Sequence, residues 1–92
     1  MAVIFEWDGR KAKGNRAKHQ VSFEEAATVF GDPLSLTVPD PLHPEQESRF
    51  VTIGRSHQGR TLVVVHTDRG ETIRIISARV ASCGERKQYE ES

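Results

Sequence analysis

Lys18 and His19 lie side by side at the end of a short polar segment, and a helix-start signal follows at Ser22. Histidine changes its charge near neutral pH and can therefore accept or donate a proton. Because Ser22 and Glu25 have the types and spacing of a capping box, we expect Lys18 and His19 to stand at a corner between two helices. His19 is the first candidate for proton transfer. A histidine there could instead cap the helix by bonding its last carbonyl groups, and the residues alone leave both interpretations open.

Arginines could supply a second part of such chemistry. RNA cleavage without a metal needs a base for the 2′-hydroxyl, an acid for the 5′-oxygen and fixed cations for the charge that develops at phosphorus. The planar donor fork of arginine matches a phosphate. In a strand, Arg49 and Arg55 would share one face, whereas Arg74 and Arg79 would point to opposite faces unless a bulge intervenes.

The remaining histidines are weaker candidates. His66 lies in an apolar run and is predicted to be a half-buried or core residue, and no role is assigned to His43 or His57. The sequence has one cysteine, Cys83, no histidine cluster at metal-ligand spacing and no phosphate-binding glycine loop. We therefore predict neither a metal nor another cofactor.

Charge is unevenly distributed along a neutral chain of 92 residues. Residues 1–20 hold five Lys/Arg and two acids, residues 21–48 hold six acids and no Lys/Arg, and residues 49–92 hold eight Lys/Arg and five acids. The two basic blocks could form one surface for RNA, although ordinary solvated charge explains the same numbers. The length predicts a single domain over residues 1–92. The lack of a membrane span or a secretory leader predicts a cytoplasmic protein that does not bind a membrane.

The pattern of elements predicts an α+β fold. Strands are predicted at residues 3–8, 34–38, 49–55, 61–67 and 72–79, and helices at residues 11–19, 22–30 and 81–89. We expect an antiparallel sheet of four to five strands, with two N-terminal helices on one face and a short C-terminal helix. In the last hairpin, a two-residue loop would pair His66 with Ile73, and one extra loop residue would bring Arg74 opposite it.

Six motifs follow one another along nearly the whole chain. They are F-E-W-D (5–8), N-x-x-K-H (15–19), V-S-F-E-E-A (21–26), R-x-x-x-x-G (49–54), I-R-I-I-S-A-R (73–79) and E-R-x-x-Y (85–89), with Lys11, Val29, Phe30 and Asp40 between them. In order and spacing, this set resembles the BrnT family of bacterial toxins.

The resemblance implies a RelE/ParE-like fold and a toxin of a type II toxin–antitoxin system. Its activity would be metal-independent endoribonuclease cleavage that arrests translation, and a BrnA-like antitoxin would neutralise it. Operator DNA would be bound only through the antitoxin complex. Residues and resemblance together give two sets of site candidates. The catalytic candidates are His19, Lys18, Arg49 and Arg79, with Arg79 preferred for phosphate; the RNA-binding candidates are Lys11, Arg55, Arg74 and Tyr89.

Two departures from the family pattern bear on function. Gln20 stands where the family usually has the glycine of a left-handed helix cap. Residues 80–84 lack the basic helix formers of the family, so we expect a last helix that begins near Gly84 and attracts phosphate less strongly. The alternative to a nuclease is therefore a non-catalytic toxin-fold binding module or co-repressor that acts only through its protein partner. Tyr89 could likewise be a packing residue.

Overall fold

A computed structural model of the protein describes residues 3–46 and 48–91. In chain order the elements are β1 (Ile4–Glu6), α1 (Gly9–His19), α2 (Phe23–Thr28) with a following 3-10 turn (Val29–Gly31), β2 (Leu36–Pro39), β3 (Arg49–Arg55), β4 (Thr61–Arg69), β5 (Thr72–Val80) and α3 (Cys83–Glu91). The architecture is α+β, with a five-stranded sheet and three α-helices.

The sheet has the strand order β1-β5-β4-β3-β2, and its pairing is mixed. The pairs β2–β3, β3–β4 and β4–β5 are antiparallel, whereas β1 runs parallel to β5, with Phe5 opposite Ile73. The prediction of a purely antiparallel sheet is therefore wrong. Tight loops fix the direction of β4 against β3 and of β5 against β4. No short loop joins β1 to β5, so the connection does not require these two strands to be antiparallel.

Both ends of α1 are capped by local bonds. The carboxylate of Asp8 accepts from the amide of Arg10 at 2.7 Å and from that of Lys11 at 3.3 Å. The helix ends at Gln20, which adopts the left-handed conformation with φ of 60° and donates its amide to the carbonyl of Arg16. The glycine-type cap is thus kept without glycine, and His19 is fixed at the corner.

Helix α2 begins with half of the predicted capping box. The hydroxyl of Ser22 accepts from the amide of Glu25 at 3.0 Å. The carboxylate of Glu25 does not turn back to Ser22 but is buried, where it accepts from the hydroxyl of Ser56 at 2.6 Å and pairs with Arg60. This glutamate joins α2 to the loop before β4, which sequence spacing does not reveal.

The core lies between α1, α2 and one face of the sheet. Its buried members are Val21, Phe23, Ala26, Val29, Leu62, Val64, Ile75 and Ala78. His66 belongs to the same region, as predicted: its ring is 1% exposed and bonds Thr52 through Nε2 at 2.7 Å and Asp68 through Nδ1 at 2.6 Å. Because both ring nitrogens have partners, His66 is a satisfied core residue.

A bulge in β5 changes which arginines share a face. The loop of the last hairpin is Gly70-Glu71, and His66 pairs with Ile75. Neither of the predicted registers, His66 with Ile73 or His66 with Arg74, is therefore correct. Between the pairs His66–Ile75 and Val65–Ser77, β5 contains one extra residue. Arg74 and Arg79 therefore lie opposite Thr67 and Val63, which are on the same face of β4.

Helix α3 covers nine residues and starts at Cys83, two residues after the start of the predicted helix 81–89 and one residue before the start near Gly84. Ser82 and Glu85 form a reciprocal cap. The amide of Glu85 donates to the Ser82 hydroxyl at 3.2 Å, and the amide of Ser82 donates to Glu85 Oε1 at 2.9 Å. The small residues at 82–84 thus begin the helix without the basic side chains that the family pattern led us to expect.

Candidate active site

A groove of about 670 Å³ lies on the face of the sheet that α1 and α2 do not cover. Its floor consists of side chains that alternate along the strands with core residues such as Leu62 and Val64. These floor residues are Val38, Val51, Ile53, Val63 and Val65. Polar and charged groups stand at the two ends of this apolar floor, an arrangement typical of a binding site.

At one end, the carboxylate of Asp40 is 4% exposed and holds two partners. Its Oδ2 accepts from Arg49 Nε at 2.8 Å and lies 3.2 Å from His43 Nδ1. The hydrogen bond from the Leu42 amide lowers the pKa of Asp40 below its usual value, burial acts in the opposite direction, and the bonds from Arg49 and His43 lower this pKa further. Asp40 therefore stays ionised and fixes an imidazole beside a guanidinium.

At the other end, Arg79 and Glu85 form an ion pair with two hydrogen bonds, Nη1 to Oε1 and Nη2 to Oε2, both of 2.7 Å. The bonds from Arg79, helped by the amide of Ser82 and opposed by burial, lower the pKa of Glu85 to about 2. His19 is half-buried and lines this groove. Because Asn15, one turn earlier, bonds the carbonyl of Ala78, the end of α1 is held beside Arg79.

The two arginines differ in the donors that they can offer. Their strand partners Thr67 and Val63 are four residues apart on β4, so the two Cα atoms are separated by roughly 16 Å. Arg49 is bonded to Asp40 through Nε, and among the described residues its two Nη groups have no further partner. Both Nη groups of Arg79 already donate to Glu85. Arg49 is therefore better placed than Arg79 to bind a phosphate.

We expect the ion pair of Arg79 and Glu85 to make stability depend on pH. Because the folded-state pKa of Glu85 lies below its usual value of 4.5, its carboxylate stabilises the fold above that pH and loses the effect as the pH falls to about 2. Both side chains are partly exposed, so Glu85→Gln should cost only about 1 kcal/mol of unfolding free energy at neutral pH. The cost should shrink towards zero near pH 2.

Urea unfolding of wild type and Glu85→Gln, at neutral pH and at about pH 2.5, measures this difference. Glu71→Gln is the matched control, since Glu71 is an exposed glutamate of the last turn without an ion pair among the described residues. A Glu85→Gln cost that is the same at both pH values would contradict the prediction.

The groove contains some of the predicted site residues and leaves others outside. His19, Arg49 and Arg79 line it. Lys18 and Lys11 are exposed on α1 and are not among its lining residues, although Lys18 is adjacent to His19.

Three predicted RNA-binding residues lie elsewhere on the molecule. Arg55 lines a separate depression of about 460 Å³ with Arg60 and Arg86. Arg74 lines another depression and pairs with Glu6 at 3.3 Å. Tyr89 is 8% exposed, and its hydroxyl donates to Asp32 Oδ2, which raises the pKa of Tyr89. The position of Tyr89 is that of a packing residue.

Sequence reasoning missed three groove residues: His43, Asp40 as its partner, and Glu85. In the sequence, Asp40 and Glu85 stand out only as parts of the family pattern. The spacing Asp40-x-x-His43 is a signal that could have indicated this contact. Prolines precede and follow both residues, and a turn in such a segment can bring the aspartate and the histidine together. The pairing of Arg79 with Glu85 could have been found from their positions on either side of a helix start.

Within residues 3–46 and 48–91, no three His, Cys, Asp or Glu side chains come together as a metal site would require. In the same part of the chain, none of the helices has the length and apolar character needed to cross a membrane.

Comparisons with known proteins agree on one family. Residues 7–85 match the family described as "Ribonuclease toxin, BrnT, of type II toxin-antitoxin system". The structure is similar to the crystal structure of the Brucella abortus ribonuclease toxin BrnT, with a TM-score of 0.66 and 25% sequence identity, over 89% of this chain and 97% of that one. A search of curated proteins gives no match.

Proposed function

Because this chain belongs to the BrnT family of ribonuclease toxins of type II toxin–antitoxin systems, we propose that it is a metal-independent endoribonuclease that arrests translation by cleaving RNA in the groove described above. One observation carries this proposal: His19, Arg49 and Arg79, which come from three distant parts of the sequence, line one groove. These are the residue types that proton transfer and phosphate binding require.

The chemistry follows from the groups in the groove. A base removes the proton of a 2′-hydroxyl, and the 2′-oxygen then forms a bond to the adjacent phosphorus. The bond from phosphorus to the 5′-oxygen breaks, and an acid protonates that oxygen, which leaves a 2′,3′-cyclic phosphate and a free 5′-hydroxyl. His19 is the candidate for proton transfer, and the guanidinium groups of Arg49 and Arg79 stabilise the charge on the phosphoryl oxygens. Lys18, beside His19, adds positive charge at the rim.

The proposal includes a protein partner. Type II systems pair a toxin with an antitoxin protein, and we infer a BrnA-like antitoxin that covers the groove and carries the contacts to operator DNA. The site of action would be the cytoplasm, where the RNA substrate is found. In this proposal the fold serves RNA cleavage in the way of RelE-like toxins.

Incubation of the purified protein with RNA in the presence of EDTA tests this function. Wild type should cleave, and His19→Ala and Arg79→Ala should each lower the rate by at least about 10-fold. The cyclic phosphate end is detected by its resistance to 3′ polyadenylation until it is removed enzymatically. Cleavage that needs an added metal, or that persists unchanged in both variants, would contradict the proposal.

A second candidate function is supported by the charges in the groove. Each of its two arginines is paired with a carboxylate, Arg49 with Asp40 and Arg79 with Glu85, so the groove has little net positive charge to attract RNA. A non-catalytic toxin-fold module or co-repressor that binds only its protein partner fits this neutrality. Binding of the antitoxin without cleavage of any RNA would favour this function over the first.

A further inference from the structure

His43 and Arg49 share one oxygen atom of a buried carboxylate. Asp40 Oδ2 lies 3.2 Å from Nδ1 of His43 and accepts from Nε of Arg49 at 2.8 Å. A group that can transfer a proton and a group that can bind a phosphate are thereby held at a fixed distance, at one end of the groove. The function proposed above uses neither His43 nor Asp40.

The loop that carries this arrangement is closed by its own backbone. The amide of Asp40 donates to the carbonyl of Arg49 at 3.0 Å, so Asp40 binds Arg49 through both its main chain and its side chain. Within the loop, the amide of His43 donates to the carbonyl of Asp40 at 3.3 Å, and the amide of Gln46 donates to the carbonyl of His43 at 3.0 Å. His43 therefore sits on a folded turn.

The imidazole of His43 is accessible to a substrate. Its side chain is 38% exposed, whereas that of its partner Asp40 is 4% exposed. In the neutral ring, the hydrogen on Nδ1 is donated to the carboxylate, and Nε2 keeps the lone pair that can accept a proton. The hydrogen bond to Asp40 also fixes the orientation of the ring.

We propose that His43 is the general base of the cleavage reaction and that Asp40 is the residue that positions it; this inference rests on the proposed function. Nε2 of His43 takes the proton of the 2′-hydroxyl while the Nη groups of Arg49 bind the phosphate. As the 2′-oxygen bonds to phosphorus, the bond to the 5′-oxygen breaks, and that oxygen leaves with a proton from the general acid of the proposed function. The proton on His43 is then released to water.

Single-turnover cleavage of RNA in EDTA, with RNA affinity measured separately, tests the role of His43. His43→Ala should be slower than wild type by about 10²-fold or more, with nearly unchanged affinity for RNA. Added imidazole should restore part of the rate in this variant and not change that of wild type. His57→Ala is the matched control, because His57 is an exposed histidine outside the groove and bonded to Thr28. Its rate should equal that of wild type.

Two further measurements separate a base from other roles. A substrate with sulfur in place of the 5′-oxygen needs no acid, so the deficit of His43→Ala should persist with that substrate if His43 is the base. Asp40→Asn should lower kcat. Because Asp40 bonds both His43 and Arg49, combining Asp40→Asn with His43→Ala should cost less than the sum of the two single losses in activation free energy, with the remaining loss acting through Arg49.

The possible failures are distinguishable. Wild-type cleavage together with a His43→Ala rate within about 3-fold of it overturns the role of His43 and leaves the nuclease function standing. Full recovery of His43→Ala on the sulfur substrate also overturns it, because His43 would then be the acid. A folded wild type that binds its antitoxin and cleaves no RNA overturns the proposed function and this inference with it.

Discussion

Replacing Arg49 by alanine is expected to slow RNA cleavage by about 10²- to 10³-fold, the usual effect of removing a donor that stabilises charge in a transition state. The side chain of Arg49 is 19% exposed and fixed through Nε on a buried carboxylate, so its two Nη groups are held in place before the substrate arrives. Arg79 should matter less, because a phosphate must first compete with Glu85 for its Nη groups. The measurement is the single-turnover rate in EDTA.

Two variants control this prediction. Arg74→Ala removes an arginine from the same face of the sheet but outside the groove, and its rate should remain within about 3-fold of wild type. Arg49→Lys keeps the positive charge and loses the planar fork, so its rate should fall between those of wild type and Arg49→Ala. Because Asp40 loses its partner in Arg49→Ala, the unfolding free energy of each variant must be measured as well. Equal rates for Arg49→Ala and Arg74→Ala would refute this assignment.

Most of the strands could be predicted from the sequence because the signals are local. β3 begins and ends at the predicted residues, and β4 and β5 differ only at their ends. The parallel entry of β1 could not be predicted in this way, since the partners Phe5 and Ile73 lie at opposite ends of the chain and no short loop limits their direction. A resemblance to a family indicates a fold without stating the direction of each strand.

One extra residue in β5 decides whether Arg74 and Arg79 lie on the same face of the sheet. Simple alternation predicts that Arg74 and Arg79 lie on opposite faces, but the bulge in β5 brings them to the same face. A bulge needs no glycine or proline, and the run of Ile and Ser residues here contains no local sign of it. The register of β5 against β4 fixes the face on which the side chains beyond the bulge lie. The sequence of β5 alone does not contain that register.

The candidate site was predicted in part for a similar reason. The residue types of His19, Arg49 and Arg79 fit RNA cleavage, and all three line the groove. Their carboxylate partners were not foreseen. A charge count by sequence block describes residues 21–48 as acidic, yet Asp40 from that block binds Arg49 from the next. The electrostatics of the groove follows from such pairs rather than from block sums, which is why neutrality of the whole chain says little about RNA binding.

The corner that carries His19 depends on a residue to which sequence analysis gave no role. Asn15 is 8% exposed, and its side-chain amide donates to the carbonyls of Ala78 at 2.8 Å and Val21 at 3.0 Å. Its side-chain oxygen accepts from the amide of Ala78 at 3.1 Å. Strand β1 pairs with β5 only over Thr72–Arg74, so Asn15 bonds the backbone of β5 where no strand covers that edge. One side chain thus joins α1, the chain before α2, and β5.

Asn15→Ala should therefore lower the free energy of unfolding by about 3 kcal/mol or more, because it leaves buried peptide groups of Val21 and Ala78 without partners. Such a loss is a large fraction of the roughly 5–15 kcal/mol that stabilises a typical domain. The measurement is urea unfolding at neutral pH. Lys13→Ala is the matched control: Lys13 is exposed on the same helix, and its replacement should change stability by no more than about 0.5 kcal/mol.

The variant Asn15→Asp separates the contribution of the hydrogen bonds of Asn15 from that of its size. Aspartate has the same size as asparagine and can still accept from the amide of Ala78, but it cannot donate to the two carbonyls and would bring a charge into a buried site. It should be at least as unstable as Asn15→Ala. Since the bonds of Asn15 hold the end of α1 beside Arg79, both variants should also lose RNA cleavage under conditions where they remain folded. Asn15→Ala with the stability and activity of Lys13→Ala would show that packing alone holds the corner.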